Sequence, residues 1–424
     1  MDNNLLKKLA LQSVALMLTV ITLSYTLNQY NKLSITRVHS AEAASVKDLE
    51  PTAEHPEATG ITPAPVQVTK SEEKDYNKQD SGLSGKLITA DINRINRLGE
   101  KVLIIKKPKV SDLKISLEDL YLTRCIRITL TGSQNSHIDS SYIGRINRKD
   151  SFVGAPVYEE YEEVKIDSKD GTEQTLIKRD YGADVVHGIS ITDHYYGDRE
   201  VYNTELLLEL DTVYAHIIEE DDEYYYIGLQ KPSDVYSKIL VIDAGHGGKD
   251  AGALSRDESI YEKNINIKIL LQLKELLDKE NIKVYYTRLM DDKVFLRPRV
   301  ELANAVDCDF FISIHCNASV STEPSGTEIY YYDTNYKQVN NEQFANIFSE
   351  ELALTTSLKK RGIMKQQDDD IFILNNARVP AIIVETGYIT NAKDLKYLLK
   401  EENQQKIAQG IYNGIMRSYQ EFSR

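Results

Sequence analysis

The stretch Lys238-Ile239-Leu240-Val241-Ile242-Asp243-Ala244-Gly245-His246-Gly247-Gly248 decides the fold. A short apolar run closed by a glycine turn reads as a strand buried in a sheet covered by helices. It ends on a carboxylate and a histidine. Two later runs behave the same way: Phe311-Ile312-Ser313-Ile314-His315, followed by Cys316-Asn317-Ala318, and Ala381-Ile382-Ile383-Val384-Glu385. Open α/β sheets bind ligands in the crevice beyond the carboxyl ends of their strands. Two histidines and a carboxylate are therefore delivered where chemistry is done.

Helical patterns alternate with these strands. Ile265, Ile269, Leu273 and Leu276 recur at helical spacing after Glu262, with Asn281 as the expected stop, and Lys283 to Thr287 reads as the next strand. Phe344, Ile347, Phe348 and Leu352 mark a second amphipathic helix, and Ile407, Ile411 and Ile415 a third. Strand–helix alternation predicts an α/β domain over residues 236–424: an open, mostly parallel sheet with flanking helices.

Upstream the pattern changes. Residues 84–235 carry short alternating runs, among them 102–105, 125–130, 205–210 and 224–227, separated by Gly, Asp and Asn. They predict an all-β, sandwich-like domain. The acidic run from Glu219 to Glu223 reads as a solvated hairpin tip. Residues 31–83, with Pro51, Pro56, Pro63 and Pro65 among charged and small residues, cannot bury enough apolar surface to fold and read as a linker. In residues 1–30, Lys7 and Lys8 precede an uncharged apolar run from Leu9 to Leu27. A helix of about that length just spans a bilayer, with its basic end in the cytoplasm. An uncleaved membrane anchor is the preferred reading and a cleaved signal peptide the alternative. Both deliver the remainder of the chain to the extracytoplasmic side.

The 424 residues allow more than one domain, and 41% hydrophobic content is ordinary for globular protein. The formal net charge of -14 argues against nucleic acid and against electrostatic docking on anionic lipid. Three cysteines, with no CxxC pair, argue against a disulfide framework and a structural zinc knuckle.

The chemistry follows from the strand ends. A catalytic zinc site takes three protein ligands from distant positions and keeps a fourth open. His246 and His315 are the natural nitrogen ligands. Glu262, opening the first helix after the glycine loop, is the best third ligand; Asp243 and Asp250 compete, with Asp243 better suited to orienting an imidazole. The loop from Gly245 to Ala253 has neither the Walker ending nor the GxGxxG spacing of a phosphate cradle. Glu385, at the end of an apolar run, suits a general base that takes a proton from activated water. A fourth metal ligand or an ion pair with Arg288 or Arg299 are its alternatives. Cys316 points to the face opposite His315 and belongs to the core.

The segment 241–248, Glu262-Lys263, Thr287-Arg288, the run from Arg299 to Asn304, Ser313 to Ala318, and Pro380 to Asn391 together resemble the zinc-dependent N-acetylmuramoyl-L-alanine amidases, the catalytic-domain type called Amidase_3. The likeness runs in order from about Lys238 to Tyr419. It implies zinc held by His246, Glu262 and His315, with Glu385 as catalytic glutamate. It implies peptidoglycan as substrate, cut between N-acetylmuramic acid and the L-alanine of the stem peptide. Asp243, Arg288, Arg299, Asn317 and Asn375 are expected to contact substrate or support the ligands. Asn375 departs from the arginine often found there, which bears on how the stem peptide is gripped. The short connection after Gly326–Tyr332 leaves no room for the inserted helix that blocks the site in some cell-division amidases. The region 84–235 is similar in place and strand pattern to AMIN-type wall-targeting domains. A wall-binding scaffold with a relic amidase fold would lack a ligand or the base, and all four residues are present. Protein partners and oligomeric state are not legible.

Overall fold

The computed structural model describes residues 89–422 except 110–112, 133–141, 148–158, 167–172, 181–184, 197–200 and 367–370. The expected anchor and linker lie outside these residues. Among the described helices none is long and apolar enough to cross a membrane.

A short helix, α1 (Ile92–Leu98), opens the described chain, capped by Asp91, whose side chain accepts from the Asn93 and Arg94 amides. The strands that follow are β1 (Lys101–Lys106), β2 (Lys114–Leu120), β3 (Cys125–Thr131), β4 (Ile143–Asn147), β5 (Glu159–Ile166), β6 (Glu173–Asp180), β7 (Val186–Tyr196), β8 (Val201–Leu210), β9 (Ala215–Glu220) and β10 (Tyr224–Gln230). They form sheets of order β4-β1-β10-β9 and β2-β3-β8-β7, with β5 and β6 paired separately. Alternate side chains of β1, β3, β8 and β10 share one core, including Leu103, Ile126, Ile128, Leu206, Leu208 and Ile227. The acidic run is a hairpin tip: Asp221 Oδ1 accepts from the Glu223 and Tyr224 amides and Oδ2 from the Tyr226 hydroxyl.

After α2 (Pro232–Val235) the chain alternates: β11 (Ile239–Ala244), α3 (Glu262–Leu277), β12 (Lys283–Tyr286), α4 (Leu296–Ala305), β13 (Phe310–Asn317), β14 (Thr327–Tyr332), β15 (Asn335–Tyr336), β16 (Val339–Asn340), α5 (Asn341–Thr355), β17 (Lys360–Gln366), α6 (Phe372–Asn376), β18 (Ala381–Tyr388), α7 (Ala392–Leu398) and α8 (Glu401–Glu421). The sheet order is β12-β11-β13-β18-β14-β17. Helices α3, α5 and α8 cover one face through Ile265, Ile269, Phe344, Phe348, Ile407 and Ile411. Helices α4 and α6 cover the other through Val300, Leu302, Ala303 and Ile373.

The expected α/β architecture with a mostly parallel sheet is present, with one antiparallel strand pair and two corrections. The sheet is mixed: β14 runs antiparallel to β18 while parallel to β17. The first helix ends at Leu277 with Asp278 as its cap, short of Asn281, and its buried fourth position is Leu277 rather than Leu276. Four residues per step from Ile265, Ile269 and Leu273 lead to 277, so the helix keeps its stripe over the sheet. Finally, Glu385 does not end its strand; β18 continues to Tyr388. Its pairing with β13 slips between His315 and Asn317, and this irregularity falls at the site. From β14 the chain passes through the small β15–β16 hairpin directly into α5, in keeping with the short connection read from the sequence.

The β-rich part meets this sheet at β12. The Tyr121 hydroxyl donates to the Tyr286 carbonyl at 2.7 Å, and the Tyr121 ring packs edge-on against Tyr285 at 5.1 Å.

Candidate active site

Strand parity places the reacting side chains. On β11, Ile239 and Val241 face the α4 side, so Asp243 does too; on β13 and β18 the same parity carries Ser313 and His315, and Ile383 and Glu385. His315 and Glu385 are direct neighbours in the β13–β18 register. Cys316 points the other way into the α3 side core, as expected.

His246 sits one residue past the turn, at φ 63. The turn residue must lack a side chain: a Cβ on Gly245 would lie 2.1 Å from His315 Cε1. Glu262 is the first residue of α3 and only 3% exposed. Its Oε1 meets His315 Nδ1 at 2.9 Å and accepts from the Cys316 amide at 3.0 Å and Asn266 Nδ2 at 3.2 Å. Its Oε2 accepts from the Ala253 amide at 2.8 Å and lies 3.2 Å from His246 Nε2. One ligand atom from each of His246, Glu262 and His315 falls within 4.8 Å of the others. Two imidazoles and a carboxylate form the donor set of a catalytic zinc site with an open position.

The electrostatics agree with this fit. Burial opposes charge on His246, yet hydrogen bonds with Asp250 and Glu262 outweigh it and push the imidazole up to about 10. For Glu262, burial would raise the pKa, but both histidines hold the carboxyl well below its ordinary value. Burial likewise opposes charge on His315, and Glu262 raises it. The protons so retained occupy lone pairs for which a divalent cation competes.

Glu385 is different. It is buried, and its Oε2 has no hydrogen-bond partner. Burial, reinforced by Glu262 and Glu328 and opposed by His315, pushes its carboxyl up to about 8. It stands outside the converging ligand group. Neither arginine proposed as its ion-pair partner is directed at it. Arg299 pairs with Asp243 and donates to the Ala244, His246 and Val294 carbonyls. Arg288 donates to the carbonyls of Ala244, Gly245, Lys263 and Met290. Both arginines thus hold the backbone of the ligand loop.

Asp243 is corrected in the same way. It is fully buried and accepts from Arg299, Thr287 and Ser313. Besides Glu262, the carboxylate bonded to an imidazole is Asp250, whose Oδ2 meets His246 Nδ1 at 2.9 Å. Parity sends Asp243 toward α4, where Arg299 waits, whereas Asp250 lies on the loop that curls back over His246. Asn317 Nδ2 donates to Glu328 Oε2 at 2.8 Å and to the Tyr330 hydroxyl at 2.9 Å. Asn375 lies on α6.

Sequence reasoning missed Glu328 and Arg361. Glu328, 3% exposed, faces Glu385 across the antiparallel β14–β18 pair. Its oxygens accept from Arg361, Tyr388, Asn317 and Tyr330. A signal existed: one acid within an otherwise apolar and aromatic strand.

A family model described as N-acetylmuramoyl-L-alanine amidase (Amidase_3) matches residues 240–417. Among curated relatives, the uncharacterized protein YqiI of Bacillus subtilis is 33% identical over 190 residues, covering 45% of this chain and 89% of that protein. The N-acetylmuramoyl-L-alanine amidase CwlM of Bacillus licheniformis is 30% identical over 182 residues, covering 42% and 68%. A solved structure, the catalytic domain of CwlV, an N-acetylmuramoyl-L-alanine amidase from Bacillus (Paenibacillus) polymyxa, is 35% identical with a TM-score of 0.40, covering 43% of this chain and 98% of that one. The chain belongs to the N-acetylmuramoyl-L-alanine amidase family.

Proposed function

We propose that this chain is a zinc-dependent peptidoglycan hydrolase that cleaves the amide between the lactyl group of N-acetylmuramic acid and the L-alanine of the stem peptide. The observation that carries the reading is the convergence of His246, Glu262 and His315 beside a buried Glu385 with an unpartnered oxygen. Family membership supports peptidoglycan as substrate and, with it, action on the extracytoplasmic side.

His246, Glu262 and His315 would hold zinc, which when bound supplies a Lewis acid that polarises the scissile carbonyl and makes the attacking water more acidic. Glu385 takes the proton from that water and passes it to the leaving amine nitrogen. Its free Oε2 is the acceptor, and burial keeps its proton affinity close to the operating range. Asp250 fixes the His246 ring through Nδ1, leaving Nε2 for the ligand position. Arg288 and Arg299 hold the loop carbonyls that set the direction of His246.

Digestion of purified wall by the full-length protein is expected to free stem peptides with new L-alanine amino termini, read by mass analysis. A chelator abolishes the release and added zinc restores it. Release that survives exhaustive chelation removes zinc from the reading, and a different set of freed ends removes the substrate assignment. For residues 84–235 we propose wall binding, on their likeness to wall-targeting domains alone. Deleting them is expected to abolish peptidoglycan pull-down; undiminished pull-down overturns that part.

A further inference from the structure

The strand β14 enters the sheet antiparallel to β18, so its first residues lie at the crevice edge. Strand β17 is parallel to β14 and also begins there. Their pairing is irregular: Thr327 faces Lys360 and Glu328 faces Gly362, so Arg361 is the extra residue of a bulge. A bulge re-aims a side chain that simple alternation would send to the other face. Gly362, at φ 99, supplies the backbone conformation that this needs. The outcome is that Arg361 Nε donates to Glu328 Oε1, and the guanidinium lies 5.5 Å from the Tyr388 ring centroid. Glu328 and Tyr388 in turn flank Glu385, one across the sheet and one three residues along β18.

That bond uses one of the five guanidinium donors, and the side chain keeps 30% of its surface exposed. Arg288 and Arg299, by contrast, are buried and bonded to backbone carbonyls. Arg361 is therefore a cation held by Glu328 that still reaches solvent, and Glu328 is the residue paired with Glu385 across the sheet. The lactyl carboxyl of the substrate is consumed in the scissile amide, so free carboxylates are carried by its peptide side. We propose that Arg361 binds such a peptide carboxylate and thereby selects substrates with an ionised group beyond the scissile L-alanine. The proposal rests on the reading that this crevice takes a wall peptide.

The test uses the zinc-loaded full-length chain and two soluble N-acetylmuramoyl-L-alanyl peptides. They differ only in whether the first free carboxylate beyond L-alanine is ionised or converted to its primary amide. The wild type is expected to show KM about tenfold lower for the carboxylate form, the order of one charge-assisted contact. In R361Q the two KM values become equal, while kcat and bound zinc change little. Since R361Q leaves Glu328 buried without its cation, E328Q/R361Q removes that charge and is expected to level the substrates equally. Equal KM values in the wild type, or an intact preference in both variants, overturns the proposal. Equilibrium binding of the same two peptides reads the preference without turnover. A chain that discriminates in binding but hydrolyses neither peptide refutes the amidase reading and upholds the subsite.

Discussion

Glu385→Gln is expected to keep zinc at wild-type stoichiometry and to lower kcat by about 10²–10⁴-fold, or roughly 3–5 kcal/mol of barrier. Glutamine preserves shape and burial but cannot accept a proton. Because Glu385 stands outside the group of converging ligand atoms, metal retention should not change. Steady-state rates on soluble muramoyl-peptide, with metal analysis of the same sample, check both halves. A rate within threefold of wild type would remove Glu385 from the mechanism, and loss of zinc would make it a ligand instead.

The pH dependence has a definite sign. In the metal-free chain the Glu385 carboxyl is pushed from 4.5 up to about 8, chiefly by burial. A raised folded pKa contributes stability that is full below the unfolded value and is lost as pH rises through the folded one. Thermal stability of the metal-free wild type should therefore fall relative to E385Q between about pH 5 and 8. Activity runs the opposite way, since the base must be ionised, so kcat/KM rises with pH. A bound divalent cation favours the carboxylate and brings that limb below 8.

Gly245→Ala is expected to cost the site its metal. The new Cβ would sit 2.1 Å from His315 Cε1, 2.3 Å from Nε2 and 2.6 Å from Nδ1. The ring cannot yield without leaving Glu262, and the backbone cannot yield because the Gly245 carbonyl is held by Arg288 and Asn266. Overpacking of this kind costs about 1–3 kcal/mol of stability. The larger effect falls on function, because a ligand displaced by an ångström no longer closes the site. Zinc affinity should drop by at least about 10–100-fold, with activity in step at limiting zinc. Zinc content after dialysis, read beside a thermal melt, checks this. Full zinc occupancy with normal turnover would show that His315 has room that the structure denies it.

The parallel strands and the three converging ligands were legible because two simple periods govern them. Alternation along β11, β13 and β18 sets which side chains share a face, and apolar runs ending on polar residues show where the crevice opens. Helical spacing after Glu262 was equally plain, though the choice of Leu276 over Leu277 shows how a one-residue step escapes reading by eye. In the sequence Asp243 looked better placed than Asp250 to orient an imidazole. What separated them was the position of α4, which brings Arg299 to Asp243 and leaves Asp250 for His246.

The pairing of Glu328 with Arg361 was illegible for a related reason. Their meeting depends on β14 inserting between β18 and β17, antiparallel to the first and parallel to the second, and on a bulge that turns Arg361 toward Glu328. The amino-acid sequence alone determined the α/β class, the apolar runs that lead to His246, His315 and Glu385, and Glu262 at the head of its helix, since local period and burial pattern encode each of these. Only the tertiary structure decided which carboxylate orients His246, where the two buried arginines are spent, and that a second carboxylate, itself bonded to a solvent-reaching arginine, faces Glu385. Those are contacts between segments far apart in the chain, fixed by sheet order and register, which no local pattern records.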